Sequence, residues 1–112
     1  GRAVTRVRDI TNRASQTNTV GDNEYMIFNT WTGGNGSSTL NLPVVANDEG
    51  RTIQFHSDST ISANTYVTLQ PNPSDSGVTI DGASSYDFNR AYDGVTILCH
   101  GGQWYIIQKK EK

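Results

Sequence analysis

The feature that most constrains the fold is a succession of short runs rich in β-branched and aromatic residues, each bounded by turn-forming residues. The runs cover residues 4–10, 24–31, 39–42, 51–56, 65–69, 78–80, 95–99 and 104–107. Apolar and polar side chains alternate within several of them, so that Ile53 and Phe55, for example, share one face of a strand. Turns about every 8–12 residues predict an all-β sandwich or barrel of roughly seven or eight short strands.

Two segments of the chain refine this prediction. The last two runs are joined by residues 100–103, which contain two adjacent glycines, and we expect them to form a hairpin. Residues 2–14 have apolar side chains at heptad spacing, but many of these residues are weak helix formers, so a strand is favoured over a helix. We expect residues 1–13 to be an N-terminal strand that leads into the sandwich, and residues 14–112 to be the sandwich itself. No clean internal repeat is visible.

The composition indicates a thin core. Hydrophobic residues make up 34 % of the chain, whereas Thr, Ser and Asn together supply 33 of its 112 residues. A domain of this size buries only about 60–70 % of its unfolded surface. Oligomerisation is therefore the expected source of additional buried surface.

The charge distribution argues against nucleic acid as a partner. Residues 14–108 contain two cationic side chains against nine acidic ones, and the net charge of the chain is −2. An acidic body of this kind repels a phosphate backbone. The basic segment at residues 2–13 is too short to reverse this effect.

Side chains capable of catalysis or metal binding are few. Cys99 and His100 are adjacent on a predicted strand, where their side chains point to opposite faces and cannot form a reactive pair. The acidic turns at residues 22–24 and 48–50 could lend oxygens to calcium, but neither has the spacing of a calcium-binding loop, and plain turns are the favoured interpretation. We therefore expect no enzymatic activity, no metal site and no cofactor.

Binding features lie in the polar loops. Hydroxyl and amide groups exchange hydrogen bonds with sugar hydroxyls, and an exposed aromatic ring stacks on a pyranose. The candidate surface residues are Trp31, Thr32, Asn35, Tyr66 and Arg90, and Tyr66 and Tyr92 are weaker aromatic candidates than Trp31. For Trp31 the favoured interpretation is nevertheless a core or subunit-interface residue at a strand end. Arg90 either forms a salt bridge with a carboxylate of the chain or binds an anion, and the internal salt bridge is the favoured interpretation.

Three stretches of the chain resemble a module that is common in tail proteins of tailed bacteriophages. Residues 2–7 resemble its opening strand. Residues 40–43 and 49–53 resemble the central part of this module, in which a leucine-proline pair is followed by a glycine, a basic residue and a hydrophobic residue. Residues 79–86, followed by 92–97 and 102–107, resemble its C-terminal signature. The match spans almost the whole chain, in the order of the family.

The resemblance implies a trimeric tip domain of a tail fibre, tail spike or tail needle, located in the virion and acting outside the cell. It also implies a jelly-roll-like β-sandwich of about seven to nine short antiparallel strands, in which residues 1–13 are an N-terminal strand or a shaft-connecting segment. Its implied partners are the rest of the phage tail and a glycan or protein of the host surface, bound during attachment or envelope penetration. The family motifs imply no ligand-contacting residue, and the turn at residues 80–82 and Trp104 are only markers of the fold. The alternative is a structural virion module without receptor binding, such as a capsid decoration or a fibre trimerisation and capping domain. A polysaccharide-degrading fragment is a third hypothesis.

Overall fold

The computed structural model of the chain describes residues 6–110, which form nine strands and one short 3-10 helix. The strands are β1 (Val7–Asn12), β2 (Thr17–Thr19), β3 (Met26–Trp31), β4 (Gly36–Asn41), β5 (Thr52–Ser57), β6 (Thr65–Gln70), β7 (Tyr86–Phe88), β8 (Gly94–His100) and β9 (Gln103–Lys110). The 3-10 helix, Val45–Asn47, lies between β4 and β5. Within residues 6–110 no helix has the length and apolar character needed to cross a bilayer.

The strands form two sheets, with the orders β1-β3-β5-β8-β9 and β2-β4-β6-β7. The predicted all-β sandwich and its number of strands are confirmed. The predicted strand directions are wrong for the first six strands, because β1, β3 and β5 pair in parallel, as do β2, β4 and β6. The chain alternates between the sheets, so each strand re-enters its sheet in the same direction. These six strands thus form three stacked coils rather than the antiparallel pairs of a jelly roll.

The coils differ in length, which explains why no repeat is visible in the sequence. Val7 of β1 pairs with Met26 of β3, 19 residues later, and Met26 pairs with Gln54 of β5 after a further 28 residues. Repeat architectures are recognised by a fixed period, and this stack has none. The last three strands close the stack through antiparallel pairs.

The core lies between the two sheets and combines apolar side chains with a small polar cluster. Trp104, Phe88 and Ile27 are among the largest fully buried side chains. Asn12 of the five-stranded sheet is also buried, and its Oδ1 accepts a hydrogen bond of 2.9 Å from the hydroxyl of Ser38 in the other sheet. This bond fixes the two sheets relative to each other, because a buried polar group without a partner costs about 1–3 kcal/mol.

The C-terminal hairpin is confirmed, since β8 and β9 pair across the turn at Gly101 and Gly102. A second turn holds β9 in place. Asp81 and Gly82 both have positive φ angles, of 50° and 81°, and the Asp81 carboxylate accepts a hydrogen bond of 3.1 Å from the backbone N–H of Ile106. Local geometry at Asp81 thereby positions the last strand of the larger sheet.

The predicted strands differ from the observed ones at three places. Two short strands, β2 and β7, have no counterpart in the prediction, because three residues give too short a pattern. Residues 78–80 form no strand, although Ile80 makes isolated bridges to Ala83 and Trp104. At the N-terminus the strand alternative holds for residues 7–12, whereas residues 1–5 lie outside the described part of the chain.

Candidate functional site

One end of the sandwich carries four loops, residues 13–16, 32–35, 58–64 and 89–93, which we call the loop surface. The loops meet there because β1, β3 and β5 all end at this edge, where β2, β4 and β6 begin. β7 also ends and β8 begins at the same edge, because these strands are antiparallel to β6 and β5. The coil stacking therefore gathers loops that are far apart in sequence.

Backbone hydrogen bonds join successive loops of the loop surface. The N–H of Thr32 donates to the carbonyl of Asn12 at 2.8 Å, and the N–H of Gly36 donates to the carbonyl of Asn64 at 2.8 Å. Each bond connects one coil to the next. The loop surface is therefore held by the scaffold and not only by its own side chains.

Trp31 lies beneath the loop surface and does not offer its ring to a ligand. Only 8 % of the residue is exposed, and its indole N–H donates to the carbonyl of Gly34 at 2.8 Å. Its backbone N–H donates to the hydroxyl of Thr60 at 2.8 Å. The core alternative for Trp31 is the one that the structure bears out, and the residue supports the glycine-rich loop from inside.

Three of the other four predicted surface residues meet at the loop surface. Thr32 and Asn35 are exposed in the loop after β3, and Arg90 is exposed in the loop before β8. Tyr66 is half-buried as the second residue of β6, on the outer side of the four-stranded sheet. Tyr66 thus lies at the border of the loop surface and not within it.

Tyr92 is the exposed aromatic residue that the loop surface offers in place of Trp31. It is 45 % exposed, and its backbone N–H donates to the carbonyl of Asp58 at 3.4 Å. Its φ angle is 63°, a left-handed conformation that costs a residue other than glycine about 1–3 kcal/mol. Such strained residues cluster at functional sites, and the amino-acid type alone gives no sign of this strain.

A network of hydrogen bonds beside Tyr92 orders the loop between β5 and β6. The hydroxyl of Thr30 donates to one oxygen of the Asp58 carboxylate, and the hydroxyl and N–H of Thr60 donate to the other. Burial raises the pKa of Asp58, but these hydrogen bonds outweigh it and hold the pKa below its usual value. The carboxylate therefore stays charged and keeps the loop in place. Sequence reasoning missed this network because Thr30 is 28 residues away from Asp58 and 30 residues away from Thr60.

We expect Thr60→Val to raise the pKa of Asp58 toward its ordinary value, because the variant cannot donate the side-chain hydrogen bond. A lowered folded-state pKa stabilises the protein above the unfolded pKa of about 3.9, and this contribution is lost as the pH falls through the folded-state value. The variant should therefore lose less stability than the wild type below about pH 4. NMR titration of the Asp58 carboxyl carbon measures the pKa directly. Ser59→Ala is the control, and an unchanged or lower pKa in Thr60→Val would contradict the assignment.

The outer face of the five-stranded sheet carries a shallow apolar depression of about 450 Å³. Val7, Met26 and Phe28 line it, and the ring of Phe28 stacks on that of His56 with centroids 5.8 Å apart. Gly94 lies beside His56, and because it has no side chain the floor of the depression stays open there. We call this region the apolar face. Sequence reasoning did not identify it, because it combines single outward residues from several strands.

The remaining chemistry-bearing side chains do not form a reactive centre among residues 6–110. Cys99 is fully buried, and burial raises the pKa of its thiol. His100 is exposed, and its Nδ1 lies 2.7 Å from a carboxylate oxygen of Glu49. Within the described residues no group of three histidine, cysteine or acidic side chains is arranged to hold a metal ion.

No protein-family model matches the chain, and no curated protein matches it significantly. A function is therefore inferred from the surfaces described above together with the resemblance of the motifs at residues 40–53 and 79–107.

Proposed function

We propose that this chain is a non-enzymatic, trimeric tip domain of a phage tail appendage, which binds the host cell surface through the loop surface. In this proposal it is part of the virion, its fixed partner is the rest of the phage tail, and its ligand is a glycan or protein on the host. The resemblance to phage tail modules suggests the class, and the geometry of the loop surface supports the role.

The single observation that carries the proposal is the exposed ring of Tyr92 in a strained backbone conformation. Asn35 and Thr32, both exposed, supply amide and hydroxyl groups on the same surface. An aromatic ring with polar neighbours suits a sugar or a protein surface, because the ring stacks while the polar groups form hydrogen bonds. A backbone conformation that lowers stability is typically retained where it serves binding, and the strain at Tyr92 is consistent with such a role.

The apolar face supports the proposed assembly with further copies of this chain. Val7 is 48 % exposed there, beside the half-buried Met26 and Phe28. Apolar surface of this kind gains free energy when it is covered, by about 25 cal/mol per Å². Three copies on one axis would also present three loop surfaces, and weak sites that act together gain avidity from effective concentration.

The direction of the strands fits a distal position of the loop surface. β1 begins at the end of the sandwich opposite the loop surface and runs toward it. In a tail appendage, a sandwich that follows a shaft in this orientation presents its loops to the host.

A structural virion module remains the second candidate, because the apolar face and the buried Asn12–Ser38 bond would serve assembly equally well. In that case the loop surface has no ligand, and changes to exposed loop residues leave the performance of the virion unaltered. The exposure of Tyr92 favours receptor binding over this alternative, because a ring that is 45 % exposed contributes little to the packing of a structural module.

We expect Tyr92→Asn to weaken host binding strongly while it leaves the fold intact. Asparagine tolerates a left-handed conformation, so the free energy of unfolding should stay unchanged or rise by about 1 kcal/mol. Loss of the ring should weaken binding of labelled protein to susceptible bacteria at least tenfold, which corresponds to about 1.4 kcal/mol. Flow cytometry measures the binding, and chemical denaturation measures the stability.

Tyr92→Phe is the matched control for this experiment. It keeps both the ring and the strained backbone, so it should bind nearly as well as the wild type. Light scattering on each variant verifies that the assembly state is that of the wild type. Wild-type binding by Tyr92→Asn, combined with a gain in stability, would favour the structural module.

A further inference from the structure

A polar cleft of about 470 Å³ lies at the end of the sandwich opposite the loop surface. It opens between the turn that precedes β3 and the segment that precedes β5, which belong to successive coils. Its lining includes Asp22, Tyr25, Val44, Asn47, Asp48 and Arg51. Its volume falls within the range of about 300–1,000 Å³ that is usual for small-molecule sites. We call it the acidic cleft.

Arg51 forms the floor of the acidic cleft and ties its two walls together. Its Nη2 donates to the carbonyl of Gly21 at 2.7 Å and also to the carbonyl of Glu24. Its Nη1 donates to the carboxylate of Asp48 at 3.3 Å. Only 7 % of the Arg51 side chain is exposed, so the cation is built into the scaffold. Its buried Nε–H has no partner among the described residues.

Tyr25 is the aromatic wall of the acidic cleft. The guanidinium of Arg51 lies 4.8 Å from the centroid of the Tyr25 ring, which fixes the orientation of the ring through a cation–π contact. The residue is nevertheless 48 % exposed. A fixed, exposed ring loses little conformational entropy on binding, which is the property that makes tyrosine effective in recognition.

Unused hydrogen-bonding groups surround this ring. In the described part of the chain, no hydrogen bond engages the side chains of Asp22 and Asn47, and Asp48 uses only one of its two carboxylate oxygens. Carboxylate oxygens accept hydrogen bonds from hydroxyl groups, and the amide of Asn47 both donates and accepts. An aromatic wall with several such groups matches a sugar ring, which has one apolar face and a rim of hydroxyls.

The charge of the acidic cleft selects among sugars. Its lining includes three acidic side chains, Asp22, Asp48 and Glu49. Arg51 is the one cation in the lining, and it already pairs with the carboxylate of Asp48. A carboxylate-bearing sugar would meet like charges close to Asp22, which is unfavourable. The same carboxylates do not form a metal site by geometry among the described residues. Between acidic and uncharged sugars, an uncharged one is therefore favoured.

We propose that the acidic cleft binds one uncharged hexopyranose unit, stacked on Tyr25 and hydrogen-bonded to Asp22 and Asn47. The site is separate from the loop surface and does not depend on receptor binding there. It would give the domain a carbohydrate contact at the end of the sandwich opposite the loop surface.

Titration of ¹⁵N-labelled protein with methyl glycosides of glucose, galactose and mannose tests the proposal. At least one of them should shift the backbone amide signals of residues 22–25 and 47–51 in a saturable way. Tyr25→Ala should raise the dissociation constant at least tenfold. Tyr105→Ala, which removes a comparably exposed ring from β9, is the matched control and should bind like the wild type. Because the signals of residues 22–25 and 47–51 report on the acidic cleft alone, failure of this site is distinguished from failure of the loop surface.

Asp22→Asn tests the origin of the selectivity. The wild type should bind the methyl glycoside of glucuronic acid at least tenfold more weakly than the uncharged sugar that binds best. Asp22→Asn preserves the shape of the side chain but removes its charge, so it should narrow this difference. The proposal is overturned if no uncharged glycoside shifts the signals of residues 22–25 and 47–51. It is also overturned if Tyr25→Ala binds like the wild type, or if the charged sugar binds as well as the uncharged ones.

Discussion

Trp104→Ala should lower the free energy of unfolding by about 4 kcal/mol, the loss usual for a large aromatic side chain in a well-packed core. Trp104 is fully buried and is the largest of the fully buried side chains. Its backbone also holds the segment before β7, because its N–H donates to the carbonyl of Thr79 and its carbonyl accepts from the N–H of Asp81. A domain of this size has about 5–15 kcal/mol of stability in total, so roughly a quarter to four fifths of the margin should disappear. Urea denaturation followed by tryptophan fluorescence and circular dichroism measures the change.

Tyr105→Ala is the matched control for Trp104→Ala. It removes the neighbouring aromatic residue, which is 43 % exposed, and should cost less than about 1 kcal/mol. Equal losses for the two variants would show that the inward and outward faces of β9 are assigned incorrectly.

We expect Arg51→Met to cost about 3 kcal/mol, because it removes a buried cation from three acceptors at once. Methionine retains much of the apolar stem, so the loss reports mainly on the hydrogen bonds to Gly21, Glu24 and Asp48. The loss should persist at high salt, since buried pairs are screened far less than exposed ones. Denaturation at low and high ionic strength measures both quantities.

Arg90→Met provides the comparison for Arg51→Met, because Arg90 is the other cation of the acidic body and is exposed. It should cost less than about 1 kcal/mol, the upper end of what an exposed charged side chain contributes through its contacts. If Arg51→Met were as mild as Arg90→Met, Arg51 would not be what ties the two walls of the acidic cleft together.

The sequence predicts the class of fold because alternation is a local property. Ile53 and Phe55 are buried while Gln54 between them is exposed, as the period of two requires. The hairpin of β8 and β9 follows equally well from two adjacent glycines. Both features depend only on residues that are close together in the chain.

Strand direction could not be predicted, because it depends on which sheet each strand joins. Alternating runs look the same in parallel and antiparallel pairs when only one face is buried. The unequal lengths of the coils also removed the periodicity that would have indicated stacking.

The exposed aromatic residue of the candidate site could not be predicted from the sequence either. Trp31 and Tyr92 look similar in the sequence, and long-range packing and a positive φ angle decide that Tyr92 is the exposed one.

The acidic turns at residues 22–24 and 48–50 illustrate the same limit at the second site. Each is recognisable as a turn, but only the stacking of two coils brings them to one cleft. Arg51 joins the two turns through its hydrogen bonds to Gly21 and Glu24, but in the sequence it is visible only as a basic residue after a glycine.

The most direct test of the central claim is a titration of labelled wild-type protein onto a panel of intact bacteria. We predict saturable binding to a subset of strains, competed by unlabelled wild-type protein but not by Tyr92→Asn. Binding that does not saturate on any strain, or that unlabelled Tyr92→Asn competes as well as the wild type, would contradict host attachment through the loop surface.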